Sequence, residues 1–270
     1  MVTEVKIAYL IPHWNEGEGM TKTVKTISQF IQLEDTRLNT GSHVRVKFTV
    51  FYLDDGSSNS NFNFLQNLIS HDSGNISTKL VRYEINEGYG ATVHKGQIVA
   101  KEAGYDWAII IDSDLSMGLD DLRLMSNFLL EADTKGSIYY IKGSRFLNNN
   151  GIEQLVGPRR RATLIGNAIS KLLARGRVSD PTTGFRSLKL TSEILKMDAK
   201  IDSGFSSIVQ ELFLVLSKGE GIAEVPYQIR VRDESLRKSS FTFDLKTISR
   251  YLYWCSRIYL KLTLPMFRKI

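Results

Sequence analysis

The sequence contains a single cysteine, Cys255, so no disulfide can form within the chain. A lone cysteine fits a protein of a reducing compartment. Long apolar runs are also missing: no stretch of roughly eighteen uncharged apolar residues occurs, so no transmembrane helix is predicted. The first residues lack the basic start and the apolar run of a signal peptide. These absences predict a cytoplasmic protein.

Acidic residues are fewer than basic ones, and the 270-residue chain carries a net charge of +6. The basic excess begins at Arg159 and continues to the C-terminus. Basic surfaces bind nucleic acids, anionic lipids or phosphorylated substrates. Because no nucleic-acid-binding motif accompanies this excess, we expect phosphate groups and a membrane surface as partners, and no nucleic acid.

Short apolar segments alternate with helical segments as far as about residue 145. Strands are predicted over 6–12, 44–53, 80–83, 107–111 and 138–142, with helices between them. The second part is less regular, with predicted helices over 159–173, 206–218 and 241–270, a loop over 180–186 and a strand over 222–231. This order predicts an α/β fold with a mostly parallel central sheet and helices on both faces. Ligands of such sheets bind beyond the carboxyl ends of the strands, where two acidic turns and Arg145 should meet.

The first acidic turn, Asp112-Ser113-Asp114, follows the apolar segment 109–111. Two carboxylates that converge without a cation repel each other, and a divalent metal removes that repulsion. Mg²⁺ and Mn²⁺ bind one or two carboxylates together with substrate phosphates. The sequence therefore predicts either a metal site at Asp112 and Asp114 or two solvated acids at a strand end.

The second acidic turn, Asp54-Asp55-Gly56-Ser57, also follows an apolar segment. Its acids suit hydrogen bonds to a base or ribose, although Asp55 or the serines can instead cap a helix. The segment Asn86 to Gly90 opens a helix, and its glycines allow either a close approach to an anion or tight helix packing. It is neither a dinucleotide-binding nor a P-loop motif.

Taken in order, these segments resemble the family 2 glycosyltransferases of the GT-A (nucleotide-diphospho-sugar transferase) fold. Within that family the dolichyl- and polyprenyl-phosphate sugar transferases are the most similar branch. The matching segments are Ile11 to Glu16 (Ile-Pro-His-Trp-Asn-Glu), Asp54 to Ser57, Asn86 to Gly90, Asp112 to Asp114, Gly143 to Arg145, Asp180 to Arg186, and Glu224 to Pro226. They span most of residues 7–240, so the ordered set is far more specific than any one motif.

The resemblance implies a role for each matching residue. Asp112 and Asp114 would bind Mg²⁺ or Mn²⁺, and Arg145 would contact the acceptor phosphate. Asp54 would lie near the base or ribose. The residues implied in binding the nucleotide-sugar are Pro12, Asn15, Glu16, Asp54, Asp55, Gly88, Asp112 and Ser113. The spacing of Asn167 and Asp180 places Arg159 and Thr163 at a second contact with the acceptor phosphate, although Arg160 or Arg161 would substitute after a small register shift.

The chain departs from the family pattern at two places. A glutamine that serves the metal two residues after the second aspartate is replaced by Ser116, so a third protein ligand is open. The family's Arg-x-x-Gly-x-Ser-Lys segment keeps its cations as Arg232 and Lys238, but Ser235 and Arg237 replace the glycine and serine. The retained cations would hold the donor diphosphate.

The resemblance implies an inverting hexosyltransferase that moves a sugar from a nucleotide-sugar to a polyprenyl phosphate in one metal-dependent displacement. A phosphate acceptor is mostly dianionic at neutral pH and needs little help from a base, whereas a sugar hydroxyl needs a positioned carboxylate. The sequence marks no clear base: Asp180 is a candidate by position, but it equally suits an acid that holds its loop in place. The alternatives are a family 2 enzyme acting on a glycan hydroxyl in polysaccharide synthesis, and a non-catalytic nucleotide-sugar-binding or membrane-scaffolding protein.

The last predicted helix carries apolar residues at helical spacing with lysines and arginines among them. Such a helix lies in a membrane interface, or packs on the core or in a dimer interface. The predicted organisation is a catalytic domain over 1–240, with a nucleotide-binding part over about 1–145 and an acceptor-binding part over about 146–240, followed by this helix over 241–270. We therefore expect a peripheral protein on the cytoplasmic face of a membrane.

Overall fold

A computed structural model describes residues 3–40, 44–72, 76–147, 151–174, 176–192, 195, 201–230 and 245–263. Strands and helices alternate along the chain. The elements are β1 (Thr3–His13), α1 (Gly19–Asn39), β2 (Val44–Asp55), α2 (Asn59–Asp72), β3 (Ser77–Tyr83), α3 (Tyr89–Glu102), β4 (Trp107–Ile110), α4 (Leu119–Lys135), β5 (Ile138–Ser144), α5 (Gly157–Leu173), β6 (Arg186–Lys189), α6 (Ser207–Lys218), β7 (Gly221–Pro226) and α7 (Leu245–Thr263).

One seven-stranded sheet contains all these strands, in the order β3-β2-β1-β4-β6-β5-β7. Strand β6 runs antiparallel to β4 and β5, and the other pairings are parallel. The predicted mostly parallel sheet is therefore confirmed. β6 was not predicted as a strand, because a four-residue segment with a cation at each end has little apolar signal.

Alternate residues of β1 explain why helices cover both faces of the sheet. Ile7 and Tyr9 join the apolar cluster that includes residues of α1 and α4. Ala8 and Leu10 point the other way and join the cluster that includes residues of α3. A third cluster joins α6 to α7 beside the second half of the sheet. The predicted layers on both faces are confirmed.

Two predicted strand ends are corrected. The first, β2, continues through Asp54 and Asp55 rather than ending at residue 53, so these neighbouring carboxylates point to opposite sides. The other, β7, ends at Pro226, well before the predicted residue 231, where its partner strand β5 also ends at Ser144.

The last helix, α7, covers the described part of the predicted helix over 241–270. Its Cys255 is buried, and the Trp254 ring lies 5.9 Å from the Phe213 ring of α6. Its opposite side is exposed. Across the described ranges, we find no helix that combines the length and the apolar character needed to cross a bilayer.

Candidate active site

A cavity of about 1240 Å³ lies beyond the carboxyl ends of the strands. One end of it is acidic and is formed by the segments that follow β1, β3 and β4. The other end is mostly apolar and is formed by α5, α6 and α7. Arg145 follows β5 and lines the same cavity. The sheet edge predicted to bind ligands is thus the edge that carries the cavity.

The turn Asp112-Ser113-Asp114 forms the acidic end. Its backbone folds back on itself, because the Leu115 N–H donates to the Asp112 carbonyl (3.1 Å) and Leu115 has a φ of 51°. The Ser116 N–H donates to Asp114 Oδ1 (3.0 Å). All three residues of the triplet line the cavity, so the turn presents both carboxylates to a bound ligand.

The turn is also anchored from α1 and from the loop that precedes it. Thr23 Oγ1 donates to the Ser113 carbonyl (2.6 Å), and Ser113 Oγ donates to Glu16 Oε1 (3.2 Å). Glu16 therefore adds a third carboxylate to the acidic end of the cavity.

Two carboxylates from one turn suit a divalent cation that takes its other ligands from water and substrate phosphates. No cluster of three or more His, Cys, Asp or Glu side chains with metal-binding geometry occurs in the described ranges. Ser116 lines the cavity beside the turn, and its role as a further ligand stays a prediction.

Asp54 does not line the cavity, although the sequence placed it near the base or ribose. Its side chain is fully buried, accepts the Ser57 N–H (3.1 Å), and lies 3.6 Å from Arg82 Nε. His13 Nδ1 lies 3.7 Å away, and burial lowers the pKa of His13 to about 4 although Asp54 acts to raise it. Asp54 therefore stabilises the turn at Ser57 from inside the protein. Asp55 is the carboxylate that lines the cavity.

Asp55 and Asn15 hold neighbouring loops together. The Asp55 carboxylate accepts the N–H groups of Glu87 and Gly88, both at 2.9 Å. Asn15, with a φ of 51°, accepts the Ser58 N–H through Oδ1 (2.9 Å) and is not among the residues lining the cavity. Of the predicted donor-binding residues, the cavity wall thus includes Pro12, Glu16, Asp55, Gly88, Asp112 and Ser113.

Of the two purposes predicted for the glycines of the segment 86–90, tight packing is observed, and the approach to an anion stays a prediction. Gly88 has a φ of 97° and lines the cavity. Gly90 donates its N–H to the Ser203 carbonyl (2.9 Å), and a Cβ at Gly90 would lie 2.5 Å from the Ser207 Cβ. Close packing on the 202–207 segment therefore requires glycine at 90.

Arg145, which lines the cavity, is paired with Asp180. Its Nε donates to Asp180 Oδ2 (2.7 Å), and its Nη2 donates to Asp180 Oδ1 (2.9 Å) and to Thr182 Oγ1 (2.9 Å). Burial raises the pKa of Asp180, but the charge and hydrogen bonds of Arg145 lower it by more. The pKa of Asp180 therefore lies below its usual range. Asp180 is therefore a weak base already engaged with a cation.

Four other predicted residues differ in how far the structure describes them. Thr163 lines the cavity from α5. Arg159 belongs to α5, but its side chain lies outside the described part of the structure. Arg232 and Lys238 lie outside the described residues altogether.

A group of buried charged residues lies next to the residues that line the cavity. The sequence patterns did not indicate this group. Lys142 is fully buried and donates through Nζ to the Thr183 carbonyl (2.9 Å). Arg186 donates to Glu211 Oε1 (2.6 Å), to Tyr89 Oη (3.1 Å) and to the Gly184 carbonyl (2.8 Å). Lys142, Arg145 and Arg186 thus all hold the segment 180–186.

The pH dependence of the free energy of unfolding should reveal the lowered pKa of the buried Lys142. Burial and, secondarily, the charge of Arg186 lower its pKa from 10.5 to about 7, although Asp180 and Glu211 act to raise it. Between these values the unfolded chain binds a proton that the folded chain has released, so stability rises with pH. We expect the free energy of unfolding of the wild type to rise by roughly 1 kcal/mol per pH unit from about pH 7 to 10, relative to Lys142→Met.

Urea unfolding at a series of pH values measures this difference. Lys135→Met, at an exposed position of α4, is the matched control and should follow the wild type. Parallel pH curves for Lys142→Met and the wild type would mean that Lys142 stays charged in the folded protein.

Several residues at the cavity were not singled out from the sequence as site residues. Trp14 is 42% exposed on its wall, and Tyr89 stacks on Phe205 with ring centroids 4.8 Å apart. The position of Tyr89 between two glycines at a helix start was the available signal. Arg230 also lines the cavity, and no pattern in the sequence marked it.

Comparison with known proteins gives the fold a precedent. No protein-family profile matches the sequence. Glucosyl-3-phosphoglycerate synthase from Mycobacterium tuberculosis, solved with Mn²⁺, UDP and glucosyl-3-phosphoglycerate, is 17% identical with a TM-score of 0.58, covering 93% of this chain and 80% of that one. GalNAc-T7, solved with UDP, GalNAc and Mn²⁺, is 12% identical with a TM-score of 0.50, covering 93% of this chain and 47% of that one. The predicted GT-A fold is confirmed: this chain shares the fold of these nucleotide-sugar glycosyltransferases.

Proposed function

We propose that this protein is a metal-dependent inverting glycosyltransferase that moves a hexose from a nucleotide-sugar to a polyprenyl (dolichyl-type) phosphate. One observation carries the proposal: a single cavity is lined by an acidic turn, by apolar side chains of α5, α6 and α7, and by Arg145. The acidic end suits a metal and a diphosphate. The apolar end suits a hydrocarbon chain, and the arginine suits a phosphate that links the two.

Support for the donor end comes from the turn at Asp112 and Asp114 and from proteins of the same fold. Both neighbours were solved with Mn²⁺ and UDP, which favours a divalent metal and a nucleotide-sugar here. A bound Mg²⁺ or Mn²⁺ would neutralise charge on the departing diphosphate. Asp112 and Asp114 would hold it, while Ser113 and Glu16 keep the turn in place.

Support for the acceptor end comes from the side chains around Arg145. The apolar wall is formed mainly by Leu155, Ile165, Ile169, Ile208, Ile248 and Leu252. Thr163, Asn167 and Ser170 of α5 line the cavity beside it, but the six apolar side chains offer no hydrogen bonds to a sugar ring, whose hydroxyl groups need them when buried. A prenyl chain instead gains free energy by leaving water.

The same arrangement suits the chemistry of a phosphate acceptor. An oxygen of the phosphate dianion forms a bond to the anomeric carbon as the bond to the diphosphate breaks, and the electron pair leaves with the diphosphate. With a second pKa near 6, the phosphate carries no proton that must be removed at pH 7. Asp180, whose pKa is lowered and which is paired with Arg145, is then not needed as a base.

A transfer assay tests the proposal. The purified protein is mixed with Mn²⁺, a short polyprenyl phosphate and each of several labelled nucleotide-sugars, and label is counted in the organic phase. Metal-dependent label in that phase supports the proposal. Label transferred only to glycan acceptors would favour polysaccharide synthesis, and donor binding without transfer or hydrolysis would favour a non-catalytic protein.

We also propose that the protein works at the cytoplasmic surface of a membrane. Helices α5 and α7 touch at Ser170 and Cys255 and share an apolar face, here called the α5–α7 face. Its residues are 41–73% exposed: Leu164, Ile165, Ile169, Leu172, Ile248, Leu252, Tyr253 and Tyr259. Exposed cations, including Arg160, Arg161 and Lys171, lie on the same helix α5. Apolar and basic side chains together favour an anionic lipid surface.

Charged substitutions on the α5–α7 face should weaken membrane binding. Burying an isoleucine or leucine contributes about 1.5–3 kcal/mol, so Ile165→Glu with Leu172→Glu should reduce binding by about a hundredfold or more. Flotation with vesicles of phosphatidylcholine and phosphatidylglycerol measures this. Leu33→Glu on α1 is the matched control, because Leu33 and Ile165 are both 62% exposed. Equal flotation of both variants would contradict the proposed membrane face.

A further inference from the structure

Arg230 lies at the acidic end of the cavity, beyond the last strand of the sheet. Its backbone N–H donates to the Ser116 carbonyl (2.8 Å), two residues after Asp114. This hydrogen bond fixes the Arg230 backbone against the acidic turn. Its side chain is exposed and lines the cavity wall, so the guanidinium is accessible to a bound molecule.

The guanidinium lies against Gly118, the residue that precedes α4. A Cβ at Gly118 would lie 2.8 Å from Arg230 Cζ and 2.9 Å from Arg230 Nε, and still closer to Nη2. Gly118 has φ −84° and ψ 163°, a conformation open to any residue. A side chain at 118 would therefore displace the guanidinium, which is the flexible end of Arg230.

Arg230 differs from the other cationic residue that lines the cavity in its ion pairing. Among described residues the lining includes two arginines, Arg145 and Arg230, and no lysine. Arg145 is paired with Asp180, whereas Arg230 forms no ion pair with a described residue. Asp121 interacts with it electrostatically, but that carboxylate accepts the Gly118 N–H (2.7 Å).

A cation at the acidic end suits a bound diphosphate. Glu16, Asp112 and Asp114 line the cavity there, and a guanidinium beside them attracts the negative charge of the diphosphate. An arginine presents a planar fork of N–H donors that matches phosphate oxygens.

We infer that Arg230 binds the diphosphate of the donor beside the acidic turn. The inference rests on the proposed function, and it adds a residue of this chain to the donor site. Ser116 follows the turn, and its carbonyl accepts the Arg230 N–H. The Arg230 guanidinium supplies a positive charge to the bound diphosphate, which the Ser116 hydroxyl does not.

Binding of nucleotides tests the inference separately from the function. With Mn²⁺ present, UDP, GDP, UMP and GMP are titrated into the wild type and into Arg230→Gln by calorimetry. We expect Arg230→Gln to weaken the diphosphate that the wild type binds by about tenfold to a hundredfold. The matching monophosphate should lose less than about threefold, since it lacks the second phosphate, and Arg230→Lys should fall between. Arg177→Gln, at an exposed arginine away from the cavity, is the matched control.

A second variant moves the guanidinium without removing its charge. Gly118→Ala places a methyl group where the guanidinium lies, so it should weaken diphosphate binding on its own. In an Arg230→Gln background the same change should have little further effect, which a double-mutant cycle detects.

The outcomes are distinct. If the wild type binds neither UDP nor GDP, the proposed donor site fails and the inference fails with it. If the wild type binds a diphosphate and Arg230→Gln binds it equally well, the donor site stands and the inference is wrong. Equal losses for diphosphate and monophosphate would also overturn it, because the effect would then not arise at the second phosphate.

Discussion

Asp112→Asn and Asp114→Asn are each expected to lower metal-dependent sugar transfer by about a thousandfold or more. A metal that neutralises charge in the transition state contributes several kcal/mol, and each 1.4 kcal/mol is a factor of ten in rate. Asparagine keeps the shape of aspartate but removes the negative charge that holds a divalent cation. Initial rates over a range of Mn²⁺ concentrations measure both the loss and any change in the metal requirement.

The two variants should fold like the wild type. An asparagine at 114 still offers Oδ1 to the Ser116 N–H, so the turn can keep its hydrogen bond. Asp120→Asn is the matched control, because Asp120 is 89% exposed and belongs to α4 just after the turn. Transfer at the wild-type rate by Asp112→Asn, with the wild-type dependence on Mn²⁺, would contradict a metal role for this turn.

The acidic turns could be predicted because their signal is local. An apolar segment that ends in acids marks a strand end, and the carboxyl ends of parallel strands share one edge of the sheet. The position of Asp112 and Asp114 in the cavity follows from those two facts. The sequence pattern does not predict that Asp54 is buried while Asp55 lines the cavity. That difference depends on where β2 ends, and strand ends are the least certain part of a sequence pattern.

Contacts between residues that are far apart in the chain could not be predicted from the sequence pattern. Arg145 was predicted to face the acceptor, but its pairing with Asp180, 35 residues later, needed the fold. Charged residues are mostly exposed, so nothing local indicated that Arg186 is 1% exposed or that Lys142 is fully buried. Arg230 shows the same limit, since its proximity to Ser116 arises only when the turn after β4 meets the segment after β7.

Glu211→Gln is expected to destabilise the protein by about 3–5 kcal/mol, because it leaves Arg186 as an uncompensated buried charge. Arg186 donates to Glu211 Oε1 (2.6 Å) and Oε2 (3.3 Å), and Gln97 donates to Oε2 (3.0 Å). Burial raises the pKa of Glu211, but the charge and hydrogen bonds of Arg186 lower it below its usual range. The pair is therefore ionised at neutral pH.

Thermal unfolding should show a fall in Tm of roughly 10 °C for Glu211→Gln. The surface pair Lys135–Glu131 gives the control: both side chains are more than half exposed, so Glu131→Gln should cost less than about 0.5 kcal/mol. Removing both buried charges, in Arg186→Met with Glu211→Met, should recover part of the stability, since neither charge is then left alone. Activity should not recover with it, because Arg186 also holds the Gly184 carbonyl and Tyr89 Oη beside Asp112. A double variant as active as the wild type would show that this buried pair serves stability alone.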